Sequence, residues 1–315
     1  MLIYIIRRLL MVIPILIVVS LLTFLLIYLV PGDPAIIMAG MQAPDYVVNQ
    51  IRDEMGLNRP FLDRMVDWYK ELFFKGNLGY SYFLRRSVTD AILERLPVTL
   101  TLAGLSTLFA MLLGIPLGVL AALKQNKLVD QLVSILALLG LSVPGFWLGL
   151  LLIMFFAVGL GWFPPGGYVP LTKDFLGGLR SIALPVFSLG FIITAQIARM
   201  TRSSMIDVMR NDYIRTARAK GVKEIWVTFR HALKNSIIPV LTVIGTLFGV
   251  LMGGTVTTEI VFTLPGIGRL AAESILKRDY PVIQGLLLTI AFVFVIVNLI
   301  VDILYAYFDP RIRYD

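Results

Sequence analysis

The sequence predicts an all-α polytopic membrane protein with six transmembrane helices and a folded loop after the first of them. Three observations carry that prediction. Of 315 residues, 58% are hydrophobic and only 15% are charged, with a mean hydropathy of +0.85, whereas a soluble domain carries about 25% charged residues. Six apolar stretches reach the roughly 20 residues that a helix needs to cross a hydrocarbon core about 30 Å thick. Lysine and arginine are concentrated in alternate connecting segments, as an ordered set of crossings requires. The chain has no cysteine, which excludes disulfides, thiolate chemistry and cysteine metal sites, and its single histidine, His231, excludes the usual histidine clusters.

Residues 1–8 form a short basic N-terminus with Arg7 and Arg8. The first span, 9–30, is too long for the core of a signal peptide. It ends in Pro31-Gly32-Asp33-Pro34 with no small-residue cleavage pattern, so it reads as a retained span. The segment 31–97 is long enough to fold with short helices of its own. After Pro60, Phe61, Met65, Trp68, Tyr69 and Leu72 recur at helical spacing, and Ser87 followed by Asp90 has the pattern of a helix N-cap. This segment either caps one membrane face or receives a partner protein.

The remaining spans are 98–123, 132–158, 181–200, 236–258 and 283–307, with a C-terminal tail at 308–315. In the fifth, Gly245, Gly249 and Gly253 lie four residues apart. Such a line lets another helix approach closely in lipid, where packing drives association. It serves helix packing within the fold, contact with a partner subunit, or a pathway-lining helix. The last span carries Asn298 and Asp302 one turn apart on one face, the intramembrane polar pair of the sequence. Asp302 lies close to the end of its span, which suits an ion pair with a basic loop residue better than a proton relay.

Charge orients the spans. One side holds 15 lysines and arginines against six acidic residues, the other 13 of each. The basic side is expected to be cytoplasmic, which places both termini there. That side is dominated by 201–235. Within it, Asn211 and Asp212 are suited to cap a helix from Tyr213 to Lys220, and Gly221 fits the left-handed position that ends one. Tyr213, Ile214 and Ala217 share one face, with Arg215 and Arg218 on another. A second block sets Val222, Ile225, Trp226, Phe229, Ala232 and Leu233 on an apolar stripe opposite Lys223, Arg230 and Lys234. A basic loop resting on anionic lipid would not need a capped helix, a glycine stop and a second helix in so few residues. A rigid two-helix unit that transmits force would.

This stretch resembles the cytoplasmic signature loop of binding-protein-dependent ABC importer permeases: Glu-Ala-Ala, three residues, Gly, nine residues, Ile, one residue, Leu-Pro. Counting from Gly221 places Arg215, Thr216 and Ala217 at the first three positions and His231 and Leu233 at the Ile and Leu positions. Arg215 and Lys234 depart from the general pattern and are similar to the branch that imports peptides and nickel. Leu96-Pro97, Leu264-Pro265-Gly266-Ile267-Gly268, Arg278-Asp279-Tyr280-Pro281 and Asp309-Pro310-Arg311-Ile312-Arg313-Tyr314 agree with that branch. The resemblance implies the type I ABC importer permease fold in a multi-pass protein of the bacterial cytoplasmic (inner) membrane. It looks like the B-type permease of dipeptide, oligopeptide and glutathione systems, with nickel complexes as the alternative cargo. It implies as partners a homologous second permease, two cytoplasmic ATPase subunits, an extracytoplasmic substrate-binding protein and the lipid bilayer, and no nucleic acid. It further implies ATPase coupling through Tyr213, Arg215, Thr216, Ala217, Arg218, Ala219, Gly221, Glu224 and His231.

No G-x-x-x-x-G-K-[ST] phosphate loop occurs in the sequence, so this chain is expected to be no enzyme and to hold no cofactor, with ATP and magnesium on the partner subunits. A secondary transporter would call for buried ionisable residues and repeated halves. A membrane-embedded hydrolase would call for more than one loop histidine, and a passive channel is a third alternative, separated from the others by transport with and without ATP and the partner subunits.

Overall fold

Long helices run the length of the molecule and short ones gather at their ends. The computed structural model describes residues 2–29, 32–40 and 42–308. Helix α1, Leu2–Leu29, already begins at the second residue, so the expected N-terminal tail 1–8 is largely helical. The next segment folds as expected into short elements: α2 (Pro34–Ala39), α3 (Asp45–Glu54), α4 (Phe61–Lys75) and a hairpin of β1 (Tyr80–Ser81) and β2 (Arg86–Ser87). Asp33 caps α2 by accepting from the Ala35 amide at 2.8 Å, and its other oxygen accepts from Arg52 Nε at 2.9 Å, which ties α3 to the cap. The amphipathic helix α4 turns its apolar face to α1. Phe24 meets Phe61 and Trp68 edge-on, Tyr69 hydrogen-bonds Ser20 at 2.6 Å, and Trp68 Nε1 donates to the Leu78 carbonyl at 2.9 Å.

Helix α5, Val88–Leu123, is 36 residues long and passes through Pro97 and Pro116. Ser87 stands at its N-cap as expected, but its hydroxyl makes no capping bond. The expected third span, 132–158, is not one straight helix. It breaks into α6 (Leu128–Ser142) and α7 (Gly145–Leu152, continued by a π-helical Ile153–Gly159), which meet at 99°. The cause is Pro144, whose ring pushes the preceding residue out of the helical region; Val143 lies at φ −82°, ψ 122°. Helix α8, Phe175–Met209, follows, capped by Asp174 on the Gly177 amide.

The segment 201–235 is not a free loop. After α8 come α9 (Asp212–Ala219), α10 (Glu224–Trp226) and a π-helical Val227–Leu233 that runs directly into α11 (Lys234–Gly254). The fifth expected span, 236–258, stops four residues early, and the chain turns into α12 (Val256–Val261), α13 (Ile267–Lys277) and α14 (Tyr280–Phe308). Most of the expected C-terminal tail lies outside the described residues.

Among the described residues four helices are long and apolar enough to cross a membrane: α5, α8, Glu224–Gly253 and Tyr280–Leu304. The bent α6–α7 pair makes a fifth crossing if counted as one, and α1 contributes the shorter apolar run Ile13–Leu25. Helices α5 and α8 form the most extensive interface, through small residues. A Cβ on Gly118 would lie 2.5 Å from the Ala198 carbonyl, and one on Gly190 would lie 2.6 Å from the Phe109 ring. The core joins these two helices to α11, α12 and α13 around the fully buried Leu102, Ile182, Met252, Phe262, Leu264, Ile267 and Leu270.

Candidate functional site

The basic end of the bundle is organised around α9. Asn211 holds the N-cap position, extended at φ −71°, ψ 149°, though without a side-chain capping bond. The helix is anchored by Ile214, fully buried, and Ala217, 9% exposed. These pack in one cluster with Val119 of α5, Met205 of α8, and Val227 and Ala232 of the π-helical turn. One short helix thus touches one end of each of three long ones. Gly221 follows at φ +75°, the left-handed conformation expected of it.

Around that anchor the polar residues point outward. Arg215 is 76% exposed and reaches Asp212 at 3.5 Å. The Thr216 hydroxyl donates to the Asp212 carbonyl at 3.0 Å. Across the turn made by Gly221, Arg218 grips Glu224 with two bonds, at 2.6 and 3.1 Å. That contact pushes the Arg218 pKa up and holds the Glu224 carboxyl below its ordinary value. Tyr213, which sequence spacing set on the same face as Ile214, is instead 41% exposed, and its hydroxyl accepts from Asn235 Nδ2 at 2.9 Å. The same amide donates to the His231 carbonyl. Ala219 and Gly221 are exposed.

The apolar residues of the second block face two ways. Val227, Thr228 and Ala232 face the interior, whereas Ile225, Trp226 and Phe229 are more than half exposed. Ile225 and Trp226 lie in α10, before the π-helical turn, and with Phe229 one turn on they form an apolar face directed away from the rest of the chain.

Elsewhere, a Cβ on Gly245 would lie 2.5 Å from Val301 and one on Gly249 2.2 Å from Phe294, both on α14, while one on Gly253 would meet nothing within 4 Å among the described residues. Asn298 bonds back to the Phe294 carbonyl of its own helix at 2.9 Å, and Asp302 is half-buried on α14.

Two acidic residues escaped the sequence reading. Asp130, 4% exposed, receives Arg202 through both carboxylate oxygens, one bond at 2.8 Å, and so joins α6 to the C-terminal half of α8. Glu259 is fully buried beside α13. Each lies within two residues of an expected span end, where a charge is ordinarily counted with the loop. For Glu259, the surrounding Thr255, Thr257 and Thr258 were a usable signal of a polar interior.

A multi-helix membrane bundle that presents a buried-based, polar-topped short helix at its basic end is a permease-type transport subunit with the type I ABC importer fold. Inward-facing conformations of the MetNI methionine ABC transporter superimpose with a TM-score of 0.57 at 17% identity, covering 70% of this chain and 97% of that one. The chain belongs to the family of binding-protein-dependent transport system inner membrane components, whose model matches residues 114–314, while the N-terminal model of such components matches 1–103. Among its relatives are a putative peptide transport system permease protein of Brucella abortus, 49% identical over 311 residues, and the glutathione transport system permease protein of Escherichia coli K12, 43% identical over 312 residues. Each match covers 99% of both chains.

Proposed function

We propose that this chain is the transmembrane permease subunit of an ATP-driven importer for peptides, di- or oligopeptides or glutathione. It forms the translocation pathway with a homologous second permease and works by alternating access. The similarity to permeases named for peptide and glutathione transport, over 99% of the chain, carries this reading. The site supports it: α9 offers exposed Arg215, Thr216 and Ala219 to a docking partner while Ile214 and Ala217 seat it on α5, α8 and α11's entry turn.

In this reading the basic end faces the cytoplasm and α9 sits in a cleft of an ATPase subunit. Closure of two ATPases moves α9, and the shared apolar cluster passes that motion to α5 and α8. The pathway then opens outward, where a substrate-binding protein delivers cargo, and ATP hydrolysis returns it inward. Arg215, exposed and cationic where the general signature has Glu, suits an acidic group on the ATPase.

The test is reconstitution of this chain with the second permease, two ATPases and the binding protein in proteoliposomes. Labelled dipeptide, oligopeptide and glutathione uptake should require ATP and the loaded binding protein. Uptake driven by an ion gradient without ATP would overturn the proposal. The purified chain alone should hydrolyse no ATP.

A further inference from the structure

The end of the bundle opposite α9 has a second organising point, at Glu259. This carboxylate is fully buried and fully engaged. Its Oε1 accepts the Thr99 hydroxyl at 2.6 Å and the Thr255 hydroxyl at 3.0 Å, and its Oε2 accepts the Arg269 amide at 2.8 Å. Thr99 in turn accepts from the Ile267 amide at 2.9 Å. One side chain therefore fastens together α5, the end of α11 and the first turn of α13, an 11-residue helix whose N-terminus favours a negative charge.

The local sequence is shaped around that carboxylate. A Cβ on Gly266 would stand 2.2 Å from the Glu259 carboxyl carbon, and one on Gly268 would stand 2.9 Å from the Val256 backbone and 3.1 Å from Glu259 Oε2. The two glycines of Leu264-Pro265-Gly266-Ile267-Gly268 thus make room for the charge and for the stretch of chain that carries it. The turn between α12 and α13 is held as well: Phe262 is buried against Gly149 of α7, and its carbonyl accepts from the Gly167 amide at 2.9 Å.

We infer that Glu259 is a positioning residue that fixes the α12–α13 hairpin to α5, so that the hairpin travels with α5 when the transporter changes state. The inference rests on the proposed import function and adds the route by which motion at α9 reaches the far face. It passes from α9 through the shared cluster to α5, then through Thr99 and Glu259 to α12–α13. A carboxylate accepts from all three donors at once. An amide that keeps its oxygen on the Arg269 N–H turns its NH2 toward Thr99 and Thr255, and their hydroxyl protons then lose the acceptor that the carboxylate gave them.

The experiment uses the reconstituted complex, carrying Glu259→Gln or Thr99→Val. Nitroxide labels are placed at Leu93→Cys on α5 and Leu276→Cys on α13, both exposed positions in a chain free of native cysteine. The partner subunits are made cysteine-free. With Glu259 present, the distance between labels should be the same with and without ATP and vanadate. In Glu259→Gln it should broaden or differ between the two states. Peptide imported per ATP hydrolysed should fall at least tenfold in Glu259→Gln and less in Thr99→Val, and the double variant should be no worse than Glu259→Gln alone. Three outcomes would overturn the inference: a state-dependent distance with Glu259 present, a variant with unchanged distance and unchanged import per ATP, or a variant that only melts earlier with import per ATP intact. The distance measurement does not depend on cargo. A complex that imports nothing but keeps the two labels fixed in the chain with native Glu259 would discredit the import reading and leave the attachment standing.

Discussion

At Gly221 the chain must turn through a left-handed conformation, φ +75°, and a Cβ at that position would find no neighbour within 4 Å among the described residues. The constraint there is backbone alone. Gly221→Val should cost about 1–2 kcal/mol of local stability, leave the chain in the membrane and lower the stimulation of ATPase activity by loaded binding protein. Gly221→Asn, which tolerates that conformation better, should lose less; equal stimulation in both variants and the native complex would remove Gly221 from the coupling unit. Asp130 presents the opposite case, where burial rather than backbone decides. Asp130→Ala strands the Arg202 guanidinium, whose side chain is 29% exposed. With that partial exposure discounted, the loss should be about 1–3 kcal/mol, read as a lower melting temperature of the purified complex. The paired change Asp130→Leu with Arg202→Met should recover most of it. Gly221 was legible in the sequence because glycine declares its conformation. The partners of Asp130 were not, because 72 residues separate it from Arg202 and no local pattern encodes that distance.

Among the helices, the glycine line on α11 separates into two kinds of position. Gly249 lies against Phe294, so Gly249→Leu should overpack the α11–α14 contact and destabilise the chain by about 1–3 kcal/mol. Gly253 meets nothing among the described residues of this chain, so Gly253→Leu should leave the chain's own melting temperature unchanged. If it nevertheless blocks assembly with the second permease, the far end of α11 faces that subunit. The repeat at four-residue intervals was plain in the sequence; which members face α14 depends on the tilt of two helices and was not. The same limit explains the bent α6–α7 pair and the exposed Ile225, Trp226 and Phe229. An apolar run reports that a segment avoids water, but composition gives neither the direction that a proline break imposes nor the surface that an apolar face meets.

For the molecule as a whole, the count of lysines and arginines predicts which face is which. An impermeant maleimide should label Tyr46→Cys on α3 in spheroplasts, and should label Lys220→Cys beside α9 only after the membrane is opened. The reverse pattern would invert the whole arrangement, coupling site included. The fold class was readable because hydropathy writes span lengths directly into sequence. The hub at Glu259 was not, since it joins Thr99 to residues 255–269 through a chain separation of 160 residues.

Helix α5 carries Val119 of the α9 cluster near one end and Thr99 of the Glu259 hub toward the other. At 1.5 Å per residue, the 36 residues of α5 span about 54 Å, so a tilt of about 5° pivoting at the α9 end carries the other end sideways by about 5 Å, close to one helical pitch. A rotation too small to disturb the packing near Val119 is then magnified, by leverage alone, into a displacement wide enough to admit a side chain at the opposite face.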